Sequence, residues 1–589
     1  MRKVVVLSLV LLLVGSMLVL AATPKDVLAL GKEMFQSPGK YGGTLTLRLS
    51  SEPQSFNYYG TLSGAAYAVD GMLFMPLVQL NPITKKIEPA LAKSWEVSKD
   101  GKEITFHLRH VMWSDGVPLT ADDVTFTMNY VLMNPHALGN EVARFTINGK
   151  PIVWKKIDDY TVKAILPAPY GAFFMVLTPA LIMPKHSLAQ YIPAFNPKVT
   201  DPSAFNKAWG VNTDPSKIPS CGPFILEKYV TGQKVVLKRN PNFWEVDPWG
   251  HQLPYVDKLV FLIVKNPETA LAMFESGQID WFTISPGDYP YLKQKELSGA
   301  PFKVYNAKSL NPTPSPLHIT FNFDVKDPDL HALFNNLSFR EAMEYALDRQ
   351  KIVNEVYNTL ATPRVGPVLP GTYWYDPKVE KIARKFNLDA ANAILDSLGL
   401  KKGPDGIRRF PDGKKVEFSL LTRNNPPTYS GIYMIYQQDL KKIGIKVDVQ
   451  PLNVSIAYQK ALAGNFQAAL LAFGDQPDPQ LRKAIWQPGN PLYYCHLSTM
   501  DKKTHEPIFE NMKWWEKVVW NDFEKGQASM DQALRKQYYD EWQEVYETML
   551  PFIYICKGNN LMVVRKNVGN FFENKQGIIV HSVLTAFFK

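Results

Sequence analysis

The sequence predicts an α/β protein of more than one domain, and three observations predict it. The chain has 589 residues, more than one hydrophobic core supports, so two or three domains are expected. Between residues 417 and 473, strand-like and helix-like periods alternate: strand 417–421, helix 429–443, strand 445–450, helix 458–462, strand 466–473. Residues 89–130 contain a hairpin, a turn and a capped helix in succession. Hydrophobic residues at 46% and charged residues at 20% are those of an ordinary globular protein.

Within 89–130, the segment EITFHL at 103–108 alternates polar and apolar, the period of a half-buried strand. Asp100-Gly101 ahead of it pairs it with 95–97 in a hairpin. Ser114-Asp115-Gly116 is a second turn, and Thr120 caps a helix whose Asp123 can reach back to the cap amide. Trp95, Phe106 and Trp113 are expected in the core rather than on a ligand. Residues 220–244 read as a Gly222-Pro223 turn followed by two strands around Gly232. Asn266, Pro267 and Gly277 are cap, first turn and terminator of a helix, with Asp280 just beyond. Pro312, Pro314 and Pro316 mark a stiff linker before the strand HITFNF at 318–323. Ser338 and Glu341 form a capping box for a single helix over 340–357. Another helix spans 387–398, closed by Gly399, and a last one spans 530–550.

At the start of the chain, Arg2 and Lys3 precede an apolar run over 4–20 and the small residues Ala21 and Ala22. This describes a secretory signal cleaved after Ala21; the alternative is a retained anchor, the run being just long enough to span a bilayer. No cysteine follows the run, so a lipid anchor is not supported, and an exported, soluble protein is expected. The formal charge of +10 is mild for so large a surface, and without a basic run or nucleic-acid motif no nucleic-acid partner is expected. Three cysteines, Cys221, Cys495 and Cys556, leave room for one disulfide and one free thiol. No cysteine or histidine spacing suggests a metal, and no cofactor is expected.

Several motifs together resemble one family. Pro89, Leu91-Ala92, Ser94-Trp95, Asp100-Gly101, Thr105-Phe106, Leu108-Arg109, Trp113, Asp115-Gly116, Pro118, Thr120-Ala121 and Asp123-Val124 match the signature of the extracellular solute-binding proteins of family 5. These are the oligopeptide, dipeptide and nickel-type receptors of ABC importers. SCGPFILEKYVTGQKVVLKRNPNFW at 220–244 and FREAMEYALDRQKIV at 339–353 resemble two further family patterns, and the likeness runs over about 41–569. The resemblance implies a two-lobed periplasmic binding protein-like fold of the class II type, with an additional small α/β domain and a two-strand hinge. On that basis residues 1–21 are the signal, 22–61 begin lobe I, 62–201 are the additional domain and 202–311 return to lobe I. Residues 312–555 make lobe II and 556–589 come back to lobe I. Residues 70–80 resemble the helix after the first loop. The implied partners are a small-molecule ligand and the permease and ATPase subunits of an importer, with the receptor itself a monomer.

The resemblance also implies where the ligand sits. In peptide-binding members, a lobe II strand ends in an aspartate that pairs with the peptide α-ammonium, and Asp475 takes that place in AFGDQPDP at 472–479. Leu471, Ala472, Phe473 and Gly474 lead to it, with the backbone of 469–473 offered to an extended peptide as an added strand. Leu62, Ser63 and Gly64 line the opposite wall. Read without a ligand, 474–479 is an Asp/Pro/Gly turn. The rival ligand is a β-linked oligosaccharide stacked on tryptophan, for which Trp374, Trp486, Trp249 and Trp281 are open, whereas Trp514, Trp515, Trp520 and Trp542 are read as core. Asn424 suits either ligand. The third reading, an exported glycoside hydrolase, needs two placed carboxylates; Asp475 and Asp478 are the one pair with any context.

Overall fold

The computed structural model describes residues 26–139, 141–307, 316–473, 477–571, 573–574, 577–578 and 582–589; the expected signal lies outside them. Among these residues, three sheets position everything else. The first, of seven strands, runs in the order Phe224–Val230, Lys234–Arg239, Lys258–Ile263, Thr44–Leu49, Trp281–Thr283, Asn560–Arg565, Phe302–Ala307. The second, of five, runs Lys446–Leu452, Glu417–Arg423, Ala468–Ala472, Leu317–Phe321, Ile553–Tyr554. The third, of four, runs Ala92–Val97, Glu103–Leu108, Thr161–Ile165, Val153–Asp158.

Each sheet follows from local pattern. In Thr44–Leu49, Leu45, Leu47 and Leu49 face inward while Thr and Arg alternate with them. Trp95 pairs with Phe106 across the expected hairpin. Thr120 accepts from the Asp122 amide at 3.3 Å, and the Asp123 carboxylate accepts from the Thr120 amide at 2.9 Å. The same carboxylate takes the Trp113 indole N–H at 3.3 Å and the Lys185 amide at 2.8 Å, tying the helix start to two neighbours. Strands of the second sheet alternate with the helices Thr428–Lys442 and Val454–Leu462.

The hydrophobic interior divides in two main parts. One cluster joins the seven-stranded sheet to the small four-stranded unit, with Leu45, Phe106, Trp113 and Phe173 in a single core. A second cluster fills the five-stranded lobe around Phe321, Leu420, Leu470 and Trp542.

Three expectations are corrected. The helix expected within 70–80 is Gly64–Asp70, capped by Ser63, whose hydroxyl accepts from the Ala66 amide at 3.4 Å. The single helix expected over 340–357 is two, Leu337–Tyr345 and Arg349–Glu355. Asn336 caps the first and Asp348 the second, through the Ser338 and Lys351 amides at 2.9 and 2.8 Å, so a side chain inside the apolar pattern restarts the helix. All three cysteines are free and buried, so no disulfide is made.

Candidate functional site

The strands Thr44–Leu49, Lys258–Ile263 and Trp281–Thr283 are parallel, and the chain leaves their lobe at Ala307, on the edge where they end. It returns at Asn560 on that same edge, since Ala307 pairs with Asn560 and Thr283 with Met562. In the second lobe, Glu417–Arg423, Lys446–Leu452 and Ala468–Ala472 are also parallel. Leu317, where the chain enters, pairs with Ala472, and His318 pairs with Tyr554, where it leaves. Both crossovers therefore attach at carboxyl ends of parallel strands, and those ends face each other across the hinge. Crevices beyond the carboxyl ends of such strands are where open α/β sheets hold ligands. The return crossing falls at residues 556–559, slightly later than the 551–555 the sequence suggested.

On the second lobe this edge is aromatic. Phe473 is half-buried, stacked on His318 at 6.2 Å and 14°, and edge-on to Tyr458 at 5.4 Å. The His318 Nδ1 sits 2.8 Å from the Pro316 carbonyl, which only accepts, so Nδ1 carries the proton. Its Nε2 then accepts from the Tyr494 hydroxyl at 2.6 Å. Burial holds this imidazole neutral, pushing it down to about 4. The Tyr458 hydroxyl donates to the Ala472 carbonyl. Asn424 is exposed, its backbone N–H donating to the Leu452 carbonyl at 2.9 Å, beside an Arg423 guanidinium lying 4.7 Å over Tyr429.

On the first lobe, the loop after Leu49 ends in Leu62, 62% exposed, then Ser63 as the helix cap and Gly64 with open space around its Cβ position. Behind them the Tyr58 and Tyr67 rings meet at 5.0 Å, and the Tyr67 hydroxyl donates to the Thr61 carbonyl at 2.7 Å. Burial, with Glu141 nearby, raises the Tyr58 phenol to about 12, so it stays a hydrogen-bonding hydroxyl.

Set against these positions, the expected site residues divide. Asn424, Ala472 and Phe473 lie at the carboxyl ends of the second-lobe strands, and Leu62, Ser63 and Gly64 lie where the loop after Leu49 meets the helix Gly64–Asp70. Gly474 and Asp475 fall outside the described residues. Leu471 is fully buried, in register with His318. The added-strand expectation is corrected for its first half: residues 468–470 are paired on both sides, by Leu317–Phe321 and by Glu417–Arg423. Trp486 is also corrected. It is 4% exposed, enclosed by Trp542, Phe552, Tyr554 and His318, and offers no open face. Trp374 and Trp281 are buried as well, while Trp249 is open but packs on Phe35, and Trp514, expected in the core, is 68% exposed. Asp478, the second acid of the hydrolase reading, is held by Arg535 at 2.8 and 2.9 Å. Among the described residues no group of three or more His, Cys, Asp and Glu is arranged to hold a metal, and no helix is long and apolar enough to cross a membrane.

Residues 86–487 match the family model described as bacterial extracellular solute-binding proteins, family 5. The chain belongs to that family. It is 30% identical to a probable ABC transporter-binding protein of Deinococcus radiodurans, over 82% of this chain and 81% of that one. Identity is 28% with the periplasmic alpha-galactoside-binding protein of Rhizobium meliloti, over 73% of this chain and 64% of the relative. It is 25% with the oligopeptide-binding protein AppA of Bacillus subtilis, over 91% and 90%. Among solved structures, the periplasmic binding protein MelB of Agrobacterium fabrum, in complex with stachyose, superposes with a TM-score of 0.79 at 24% identity, covering 94% of this chain and 84% of its own. The family 5 protein described here thus has the two-lobed fold of periplasmic binding proteins and the role of a solute-binding protein of ABC transporters; its relatives and fold are those of receptors.

Of the aromatic edge, the sequence reading missed His318, Tyr458 and Tyr494. A histidine inside the apolar strand HITFNF was the available signal. Tyr458 and Tyr494 carry none, because their neighbours in sequence say nothing of the strand end they cover.

Proposed function

We propose that this family 5 receptor encloses an oligosaccharide between its lobes and hands it to the permease of an ABC importer. One observation supports the sugar over the peptide. Residues 468–470 already have partners on both sides, and the Tyr458 hydroxyl occupies the Ala472 carbonyl beyond them. Beside the short stretch of main chain beyond residue 470, that edge therefore presents the half-buried Phe473 and Tyr458 rings and the exposed Asn424 side chain. Aromatic faces with neutral donors and acceptors suit a ring of C–H groups and hydroxyls, whereas an added peptide strand needs main-chain partners. The Rhizobium relative is named for an alpha-galactoside.

Peptide is the second reading, carried by Asp475 in its family context and by the length over which AppA aligns. A thermal-shift screen decides between them, with stachyose and cello-, manno- and xylo-oligosaccharides against di- to hexapeptides. A ligand at one hundred times its Kd stabilises by about 2.7 kcal/mol. The sugar reading expects that shift from an oligosaccharide and from no peptide. A shift from peptides that Asp475→Asn abolishes, with the fold retained, overturns it in favour of the ammonium-pairing role. Recovery of the solute uncleaved keeps the chain a receptor; turnover would contradict that.

A further inference from the structure

We propose that the small four-stranded unit and the second lobe form a clasp, separate from the crossover strands, that holds the lobes together and releases when they part. The inference rests on the reading that the lobes open and close.

Gln527 is its centre. The Lys483 ammonium donates to Gln527 Oε1 at 2.5 Å, and Gln480 Nε2 donates to the same atom at 3.1 Å. An ammonium only donates, so the amide orientation is set from within the second lobe. Its Nε2 then points across the junction and donates to the Thr146 carbonyl at 2.9 Å. The Gln527 carbonyl accepts from the Gly171 amide at 3.0 Å. A third bond runs the other way: Arg144 Nε donates to the Leu481 carbonyl at 3.0 Å, while Glu141 holds the same guanidinium at 2.8 Å. Leu481 itself, 2% exposed, packs into the hydrophobic cluster of the first lobe.

Gly171 shows how closely the two sides meet. A Cβ there would lie 1.9 Å from the Ser529 carbonyl oxygen and 2.8 Å from Arg535 Cδ, all atoms of the opposite lobe. The preceding residue, Tyr170, is 1% exposed with a buried hydroxyl that has no hydrogen-bond partner among the described residues, beside Asp478, Arg535 and Tyr539.

Each half is built without the other. Asp478–Arg535 and Lys483–Glu524 are paired inside the second lobe, and Glu141–Arg144 inside the first. The bonds that cross end on backbone carbonyls, which water can take over when the lobes part. Arg482 of the second lobe also acts electrostatically on the buried Glu141 across the junction, and together these contacts add a bias towards the closed form over the open one in the unliganded protein.

The test uses the unliganded full chain, so it does not depend on which solute binds. Gly171→Val should prevent the clasp through overlap with Ser529 and Arg535, and Gln527→Ala should remove one of its three crossing bonds, the one to the Thr146 carbonyl, and with it the Lys483 and Gln480 bonds that orient the amide. Small-angle scattering should show both with a radius of gyration some percent above wild type, against about 25 Å for a compact chain of this length. In wild type, the Gly171 amide should exchange with deuterium faster than those of Thr161–Ile165 in the same unit, and faster still in Gln527→Ala. Wild-type dimensions in Gln527→Ala, together with Gly171 exchange as slow as the strand and unchanged by the variant, would overturn the clasp. If Gly171→Val fails to fold, those two measurements decide. Failure of every solute to bind wild type would instead count against the receptor reading.

Discussion

Asp522 illustrates what a single carboxyl does when a helix face buries it. It is 3% exposed, one oxygen has no hydrogen-bond partner among the described residues, and burial, with Glu541 adding to it, pushes the group up to about 8. The folded state therefore holds a proton that the unfolded chain releases above about pH 4. Stability contributed by that proton is complete below pH 4 and is lost as pH rises towards 8. Asp522→Asn should leave the melting temperature unchanged near pH 4 and raise it increasingly to pH 8, by on the order of 2–4 kcal/mol there. A gain equal at both pH values would contradict the assignment. Burial raises the Asp123 carboxyl as well, but three donors converge on it. Asp123→Ala should cost about 2–3 kcal/mol in denaturant unfolding, since it orphans the Trp113 N–H in a buried site. Single residues were legible where a local rule governs them, as with Thr120, Asp123 and the core residue Trp113. They were not legible where an environment assembled from distant segments decides. Trp486 and Trp514 differ by burial alone, and their neighbours in sequence do not carry that difference.

At the scale of elements, pattern located the strands and helices well and their ends less well. The strands Glu417–Arg423 and Lys446–Leu452 extend two residues past the expectation, and Ala468–Ala472 starts two residues late, because pairing partners rather than alternation set the limits. The break between Leu337–Tyr345 and Arg349–Glu355 came from Asp348 capping inside an apolar stripe. Asp348→Ala should cost about 1 kcal/mol, read as a fall in melting temperature, while a Ser338→Ala change should cost little because Asn336 is the cap. The candidate edge was half legible for the same reason. Its strand and its family motif are visible in sequence, but the Tyr458 hydroxyl on Ala472 arises from a helix that folds back onto the strand end.

At the scale of the molecule, both lobes were legible because each carries its own alternation and because the chain crosses at proline-rich or short segments. We propose the segment boundaries at 61, 201, 311 and 555 as the division of the chain, with the small unit sharing the core of the first lobe. The Tyr170–Gly171 contact with the second lobe was not legible, since nothing in residues 144–171 marks them as facing residues 478–535. On the proposed function the receptor must change shape with its solute, and the proposed clasp would make that change a shift between two populated forms.

The central claim is tested most directly by small-angle scattering on wild type, first without solute and then with the solute that the thermal screen selects, at saturation. The account predicts a smaller radius of gyration with solute, and a larger contraction in Gln527→Ala, whose unliganded form starts more open. Identical dimensions with and without a bound, saturating solute in both proteins would contradict it.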